Sequence, residues 1–219
     1  MLKRIFHYDN PVFQAINTIG EIIILNFLWM ICSLPIVTIG ASTTALVYSC
    51  IKLHHHDGYP WSNFFHSFKE NFKQATVLFL IFLAAGVLLV TDLILGNQAN
   101  NSFGTFMKIA ACVIGIPYFI TLLYVFGVQS RFVNSVKDTI RYAFFVALRN
   151  YKTTIQLALI VILLVWANTT VALVNYLTIM FGAGFLAYFF AGYYNKVFEQ
   201  YLPKEETDEL ESAEAETEE

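Results

Sequence analysis

The sequence has few charged residues, and this shortage already excludes an ordinary water-soluble domain. Charged residues make up 13% of the 219 residues and hydrophobic residues make up 57%. Soluble globular chains have roughly 25% and about 45–50%, respectively. A soluble protein of this length needs more charge to cover its surface, so the composition predicts an integral membrane protein.

The sequence also lacks the usual patterns of disulfide, metal and catalytic sites. Its three cysteines are widely spaced in apolar runs without a CxxC pair, which indicates neither a disulfide framework nor a zinc site. Three consecutive histidines, His54 to His56, precede Asp57, but consecutive helical side chains point in different directions and no further ligand is suitably spaced. No Ser/His/Asp set, Gly-rich phosphate loop or HExxH pattern occurs. We expect no enzyme activity, catalytic residue, metal, cofactor or nucleic-acid partner.

Apolar stretches long enough to cross a bilayer recur along the chain. A crossing needs about 20 residues, at ~1.5 Å each, for a hydrocarbon core ~30 Å thick. The opening stretch, residues 16–53, is too long for one span and contains Pro35 and Gly40, where a helix should break. It either spans twice or forms a re-entrant hairpin. We predict an all-α, polytopic bundle of about six spans, at residues 16–34, 37–53, 75–95, 109–128, 154–174 and 177–194.

The basic residues are distributed unevenly between the two ends of these predicted spans. With six crossings, 12 of the 13 Lys and Arg residues fall on one side and only Lys108 falls on the other. Short loops rich in Lys and Arg stay in the cytoplasm. We therefore predict a multi-pass plasma-membrane protein with both termini cytoplasmic, whose basic side contacts the anionic lipid of the inner leaflet. No small-residue cleavage site follows the first apolar stretch, which predicts a retained span.

The end of the chain differs in charge from the rest. Residues 199–219 contain ten acids and one base, a net charge of 1 - 10 = -9, whereas residues 1–198 contain 12 bases and 6 acids, a net charge of 12 - 6 = +6. We predict one membrane domain over residues 1–198 and a disordered, acidic cytoplasmic tail over residues 199–219.

Two cytoplasmic stretches have the pattern of an amphipathic helix. In residues 61–73, aromatic residues recur at i, i+3, i+4, i+7 and i+11, and in residues 133–152 an apolar stripe is flanked by four basic residues. Both patterns predict helices in the inner headgroup layer, which either anchor their loops on lipid or form a docking platform. The candidate docking residues are Trp61, Phe64, Phe65, Phe68, Lys69, Phe72, Lys73, Arg141, Phe144, Arg149, Tyr151 and Lys152.

These two stretches also suggest an internal duplication. A shift of 79 positions overlays residues 65, 71, 72 and 73 on residues 144, 150, 151 and 152, and it superposes the second and third spans on the fourth and fifth. The pattern favours a parallel repeat of residues 37–95 and 109–174, of a kind found in some transporters. Two unrelated collars of basic and aromatic residues before membrane spans would look alike, so this alternative stays open.

Polar side chains inside the predicted spans are the candidates for a path through the bundle, because charge in hydrocarbon is costly. Glu21 either lines such a path or reaches the cytoplasmic interface and pairs with a base. Asn168 either lines it or makes a hydrogen bond between helices. The complete candidate set is Glu21, Asn26, Thr38, Thr43, Thr44 and Asn168.

Two segments of the sequence resemble a known family. Residues 33–46, SLPIVTIGASTTAL, and residues 64–75, FFHSFKENFKQA, are similar to the signature stretches of the YesL-like bacterial membrane proteins, a family of unknown function. The resemblance implies a bacterial integral membrane protein, often encoded beside carbohydrate ABC-transporter genes, and it implies no catalytic residue. We expect an accessory or regulatory partner of a carbohydrate ABC uptake system, in contact with its permease subunits. The alternative is a small standalone carrier for a sugar or other polar solute. The oligomeric state stays open.

Overall fold

The computed structural model describes residues 11–99 and 101–201, and every secondary-structure element in these ranges is helical. A short 3-10 turn, Ile36–Thr38, precedes the second α-helix, and another, Glu199–Tyr201, follows the last. A π-helical turn, Thr178–Gly182, joins the last two α-helices. The α-helices are α1 (Pro11–Cys32), α2 (Ile39–His54), α3 (Pro60–Gln98), α4 (Ser102–Arg131), α5 (Val136–Arg149), α6 (Tyr151–Thr170), α7 (Ala172–Leu177) and α8 (Ala183–Phe198). Most of the predicted acidic tail, residues 202–219, lies outside the described residues.

Five helical segments in the described ranges are long and apolar enough to cross a bilayer. They are Gln14–Cys32, Ile36–His54, Pro60–Gln98, Ser102–Arg131 and Tyr151–Thr170. The predicted division of the opening stretch is confirmed, since α1 ends before Pro35 and α2 begins after it. The sixth predicted span, residues 177–194, is divided among α7, the π-helical turn and α8, of which α8 is the longest at 16 residues. These helices are compatible with a multi-pass membrane protein.

The centre of the bundle is α2. It contacts α1, α3, α4 and α8. In its apolar window 67% of the residues are buried inside the protein, whereas the other four candidate spans have between 11% and 22% buried. Small residues permit this close packing. Gly40 meets α3 so closely that an added Cβ would lie 2.5 Å from the Phe79 Cβ and against the Ala75 carbonyl. The surface of α2 is therefore covered mainly by other helices.

The structure differs from the sequence prediction along α3. We predicted an interfacial helix at residues 61–73 and a separate span at residues 75–95, but α3 is continuous over 39 residues. No proline or glycine stands between Pro60 and Gly86, so nothing interrupts the helical hydrogen bonds at the expected junction. At about 1.5 Å per residue, α3 has an axial length of about 58 Å, nearly twice a ~30 Å hydrocarbon core. Its first half runs beside α2, because the loop at residues 55–59 connects them and Gly40 meets Ala75.

Aromatic side chains fill the core where α4 and α8 meet. The rings of Tyr124 and Tyr194 are 5.7 Å apart, and the Tyr194 hydroxyl donates to the Leu123 carbonyl. Phe198 packs edge to face against Phe132 at 5.4 Å. Aromatic pairs of this geometry add to the stabilisation that comes from burial alone. The C-terminal half of α8 is therefore fixed against α4.

Candidate functional site

A chain of buried polar side chains joins α3, α4 and α5. Gln129 Nε2 donates to Asn71 Oδ1 at 2.9 Å, and Gln129 Oε1 accepts from Thr139 Oγ1 at 3.3 Å. Asn71 also donates to the Ser67 carbonyl at 3.1 Å. A fully paired network in a low-dielectric interior favours one arrangement of its helices, so α5 is held against the first half of α3. Gln129 and Thr139 were not predicted, because polar residues just after a predicted span and in a predicted cytoplasmic stretch are usual and give no signal.

The predicted aromatic face of α3 is divided between the core and the surface. Phe64 is fully buried. Trp61, Phe65 and Phe72 are 45%, 44% and 39% exposed, and Tyr59, which precedes the helix, is 68% exposed. Tyr59 stacks on Trp61 with ring centroids 5.0 Å apart. We call these four exposed residues, Tyr59, Trp61, Phe65 and Phe72, the aromatic ledge.

Basic side chains accompany the aromatic ledge on α3. Lys69 and Lys73 are exposed, with Glu70 between them. Phe68 is half-buried and stacks on Phe64 at 6.2 Å, which ties this part of α3 to the core. The first predicted docking stretch therefore has a rigid buried side and an exposed side of aromatic and basic groups.

The second predicted docking stretch comprises α5 and the start of α6. Arg141, Arg149, Tyr151 and Lys152 are exposed, and Phe144 is half-buried. The buried residues of α5 precede those of the predicted apolar stripe by about one position along the helix. Its buried residues are Thr139, Ala143, Val146 and Ala147.

Tyr201 fixes the end of the described chain beside α5. Its ring lies 5.5 Å from the Arg149 guanidinium carbon and 5.9 Å from the Tyr142 ring. Asn150 Nδ2 donates to the Tyr201 hydroxyl at 3.0 Å. Burial raises the pKa of the Tyr142 phenol; Tyr201 adds to this shift and Arg149 opposes it. The chain therefore leaves α8 along a defined path to the junction of α5 and α6.

Asn26 is a buried link between α1 and the π-helical turn. Its Nδ2 donates to the Met180 carbonyl at 2.6 Å, and its Oδ1 accepts from the Gly184 N–H at 2.8 Å. A π-helical turn disturbs the regular helical hydrogen-bond ladder and leaves backbone groups that need partners. The Asn26 carboxamide thus pairs both its donor and its acceptor with backbone groups, which gives Asn26 a structural role.

The other candidates for a polar path are also paired. Asn168 Nδ2 donates to the Leu164 carbonyl at 2.8 Å and to the Thr178 hydroxyl at 3.2 Å. The Thr38 hydroxyl donates to the Pro35 carbonyl and to the Cys32 carbonyl at the end of α1, and the Thr44 hydroxyl donates to the Gly40 carbonyl of its own helix. Thr43 Oγ1 accepts from the Trp29 indole N–H at 3.1 Å.

Glu21 stands apart from these residues. It is half-buried on α1 and interacts electrostatically with His56, which follows α2. The six candidates therefore do not come together as one polar group: Asn26 and Asn168 approach the π-helical turn, the threonines stay on α2 and the turn before it, and Glu21 faces the loop after α2.

Two clefts open between the helices. One, of about 430 Å³, lies between α1, α6 and α8; it is mostly apolar, with Ser33 and Thr178 as its hydroxyl groups. The other, of about 510 Å³, lies between the end of α2 and α8, where the His54 ring stacks on Tyr188 at 4.1 Å. Lys196 and Glu199 also line this second cleft. In the part of the chain that the structure describes, no three His, Cys, Asp or Glu side chains are grouped to hold a metal ion.

One comparison with known proteins gives a match. Residues 22–93 match a family described as "Protein of unknown function, DUF624". Over these residues the chain is similar to DUF624 proteins. The DUF624 match includes α2, most of α3, the aromatic ledge and both segments that carry the resemblance noted above. No curated protein and no solved structure matches the chain.

Proposed function

We propose that the protein is a non-enzymatic accessory subunit that docks on the permease of a carbohydrate ABC importer. The observation that carries this proposal is the aromatic ledge, which exposes Tyr59 just before α3 and three aromatic side chains on α3 beside Lys69 and Lys73, while the other side of this part of α3 is buried. Aromatic residues are enriched at the energetic centres of protein interfaces. The carbohydrate importer comes from the YesL-like resemblance of residues 33–46 and 64–75.

The rigidity of the ledge supports docking. Phe64 and Phe68 anchor it to the core, and Gln129, which donates to Asn71 and accepts from Thr139, holds α5 beside it. A preorganised surface loses less conformational entropy on binding than a mobile one. The ledge and α5 together are the proposed docking surface.

The proposal includes a membrane arrangement. We add a sixth span, Ala172 to Phe198, to the five candidate spans. Its three helical segments together comprise 27 residues. With six crossings, the excess of basic residues favours the cytoplasm for both termini and for the start of α3. In this arrangement α5 lies in the inner headgroup layer, and the ledge is within reach of a neighbouring membrane protein.

Affinity purification from the native membrane in a mild detergent tests this function. The wild-type protein is expected to retain permease subunits, and Trp61→Ala with Phe72→Ala is expected to lose most of them. The matched control replaces Trp166 and Phe106, which are 64% and 67% exposed on the candidate spans, by Ala. Equal retention by the ledge and control variants would remove the ledge from the interface. Absence of any permease subunit with the wild type, while a known permease complex survives, would overturn the function.

The standalone carrier has less support. The apolar cleft of about 430 Å³ is large enough for a small solute, but neither Thr43 nor Thr44 lines it. The Thr43 hydroxyl is paired with Trp29, and the Thr44 hydroxyl is paired with the Gly40 carbonyl. Carriers need unpaired polar groups at their solute site. Sugar uptake by protein-loaded liposomes, lost when Thr43 and Thr44 become Val, would favour the carrier. No uptake above empty liposomes across a panel of sugars would exclude it for those solutes.

A further inference from the structure

The exposed surface of α5 and the first turn of α6 has an excess of positive charge. We call Lys137, Arg141, Arg149 and Lys152 the basic face; all four side chains are exposed. Within residues 11–99 and 101–201, no carboxylate lies within salt-bridge distance of any of them. The nearby acid on α5, Asp138, accepts a hydrogen bond from Ser135 at the start of the helix. The basic face therefore has room for an anionic partner.

The chain itself supplies an anionic segment at this position. Tyr201 is held beside Arg149, Tyr142 and Asn150, so residues 202–219 start at the edge of the basic face. These residues contain nine carboxylates and one lysine, a net charge of 1 - 9 = -8. The segment and the surface beside its starting point are opposite in charge.

The length of the segment suffices to reach all four basic residues. An extended chain covers at most about 3.3–3.6 Å per residue, so the 18 residues after Tyr201 reach about 60 Å. The axis of α5 is only about 21 Å long for its 14 residues. Because the segment is tethered beside the face, its effective concentration there is in the millimolar range for a short flexible link. Attraction between exposed charges extends over a Debye length of about 8 Å at physiological salt. Direct contacts between the carboxylates and the basic side chains are shorter than this length.

We propose that residues 202–219 bind the basic face of the same chain and compete there with anionic lipid headgroups. With the segment in place, the charge of α5 is neutralised from within the molecule. An inner leaflet rich in anionic lipid displaces the segment, and headgroups then occupy the basic face. The contact therefore makes the occupant of the basic face depend on the charge of the surrounding membrane. This inference does not depend on the importer partner proposed above.

Zero-length carbodiimide cross-linking tests the contact in the full-length protein, reconstituted in nanodiscs of zwitterionic phosphatidylcholine. Mass spectrometry is expected to find cross-links from carboxylates of residues 202–219 to Lys137 and Lys152. The lysines of α3, Lys69 and Lys73, are internal controls, because they are also exposed but lie on another helix. Cross-links that are absent at Lys137 and Lys152, or equally frequent at Lys69 and Lys73, would overturn the proposal.

A charge reversal distinguishes binding from chance proximity. Arg141→Glu leaves both reporter lysines and the Tyr201 contacts in place, and it is expected to lower the cross-link yield at Lys137 several-fold. The matched reversal on α3, Lys69→Glu, is expected to leave that yield unchanged. An unchanged yield in Arg141→Glu would show that the basic face does not hold the segment.

The competition with lipid has its own readout. Replacing part of the phosphatidylcholine by anionic phosphatidylglycerol is expected to lower the yield at Lys137 and Lys152. Replacement of the nine carboxylates by their amides is expected to increase the contact of the basic face with the headgroups, which a spin label attached to Phe145→Cys reports through its depth in the membrane surface. Yields that do not respond to anionic lipid would overturn the competition.

Discussion

Gly184 donates its backbone N–H to the side-chain oxygen of Asn26 at 2.8 Å, across 158 positions of sequence. This bond ties the start of α8 to the middle of α1. The same carboxamide donates to the Met180 carbonyl, so the irregular backbone before α8 is paired by one side chain of the first helix. The first helix and the last α-helix of the described chain are thus held together by a polar contact in otherwise apolar surroundings.

Replacement of Asn26 by Leu is expected to destabilise the bundle. The change leaves the Met180 carbonyl and the Gly184 N–H without their partner, at a cost of about 1–3 kcal/mol. Thermal unfolding in a fixed detergent measures the effect as a lower midpoint. The matched change Asn97→Leu, at an exposed position near the end of α3, is expected to have little effect. Equal midpoints for the two variants would contradict the structural role of Asn26.

Replacement of Gly40 and of Gly115 by Ala is expected to have opposite effects on the stability of the protein. A Cβ on Gly40 would press into Phe79 and the Ala75 carbonyl, whereas one on Gly115 meets nothing within 4 Å. Gly40→Ala should therefore separate α2 from α3 and cost about 1–3 kcal/mol. Gly115→Ala should be neutral or should gain up to about 1 kcal/mol in helix propensity. Thermal unfolding of both variants under one condition checks the pair; a neutral Gly40→Ala would mean that the two helices are not in such close contact.

The link between α3 and α5 is expected to depend on Gln129. In Gln129→Leu, Asn71 and Thr139 lose their common partner, and α5 loses its polar contact with the core. Hydrogen exchange of the α5 amides should become faster, with about 1–3 kcal/mol less protection. Gln156→Leu, at an exposed position of α6, is the matched control and should leave exchange in α5 unchanged. Unaltered α5 exchange in both variants would show that apolar packing alone holds this helix.

The two ends of α3 are expected to face opposite compartments. Single cysteines at Ser62 and Ser102, in a protein whose three native cysteines are replaced by Ala, would react with an impermeant maleimide from different sides. Ser62→Cys should react only in inverted vesicles and Ser102→Cys only in intact cells, because the basic residues favour the cytoplasm for the start of α3. Labelling of Ser62→Cys in intact cells would reverse the predicted orientation.

The presence of long apolar helices and the main break were predictable because the bilayer and the backbone constrain them directly. A crossing of fixed thickness requires long apolar runs, and Pro35 lacks the N–H that an unbroken helix would use. The Trp61 to Phe72 periodicity correctly indicated a helix there. It did not indicate that this helix continues into the following span, because the local pattern gives no information on where hydrogen bonding ends when no Gly or Pro interrupts it.

The candidate site was predicted less completely. Trp61, Phe65 and Phe72 are exposed, but the burial of Phe64 on the same aromatic face was not foreseen. Docking at these residues stays a prediction. The roles of Gln129 and Asn26 depend on partners in distant segments, which spacing within one segment does not reveal. The duplication of residues 37–95 and 109–174 stays a prediction.

Composition and residue order were sufficient to predict a helical membrane protein, the division at Pro35 and the opposite charges of body and tail. Only the folded chain decided that α2 occupies the centre, which aromatic side chains of α3 are exposed, and which backbone groups Asn26 pairs. The physical reason is the solvent. In a membrane protein the side of a helix that faces lipid and the side that faces other helices are both apolar, so the hydrophobic pattern that separates core from surface in water no longer distinguishes them.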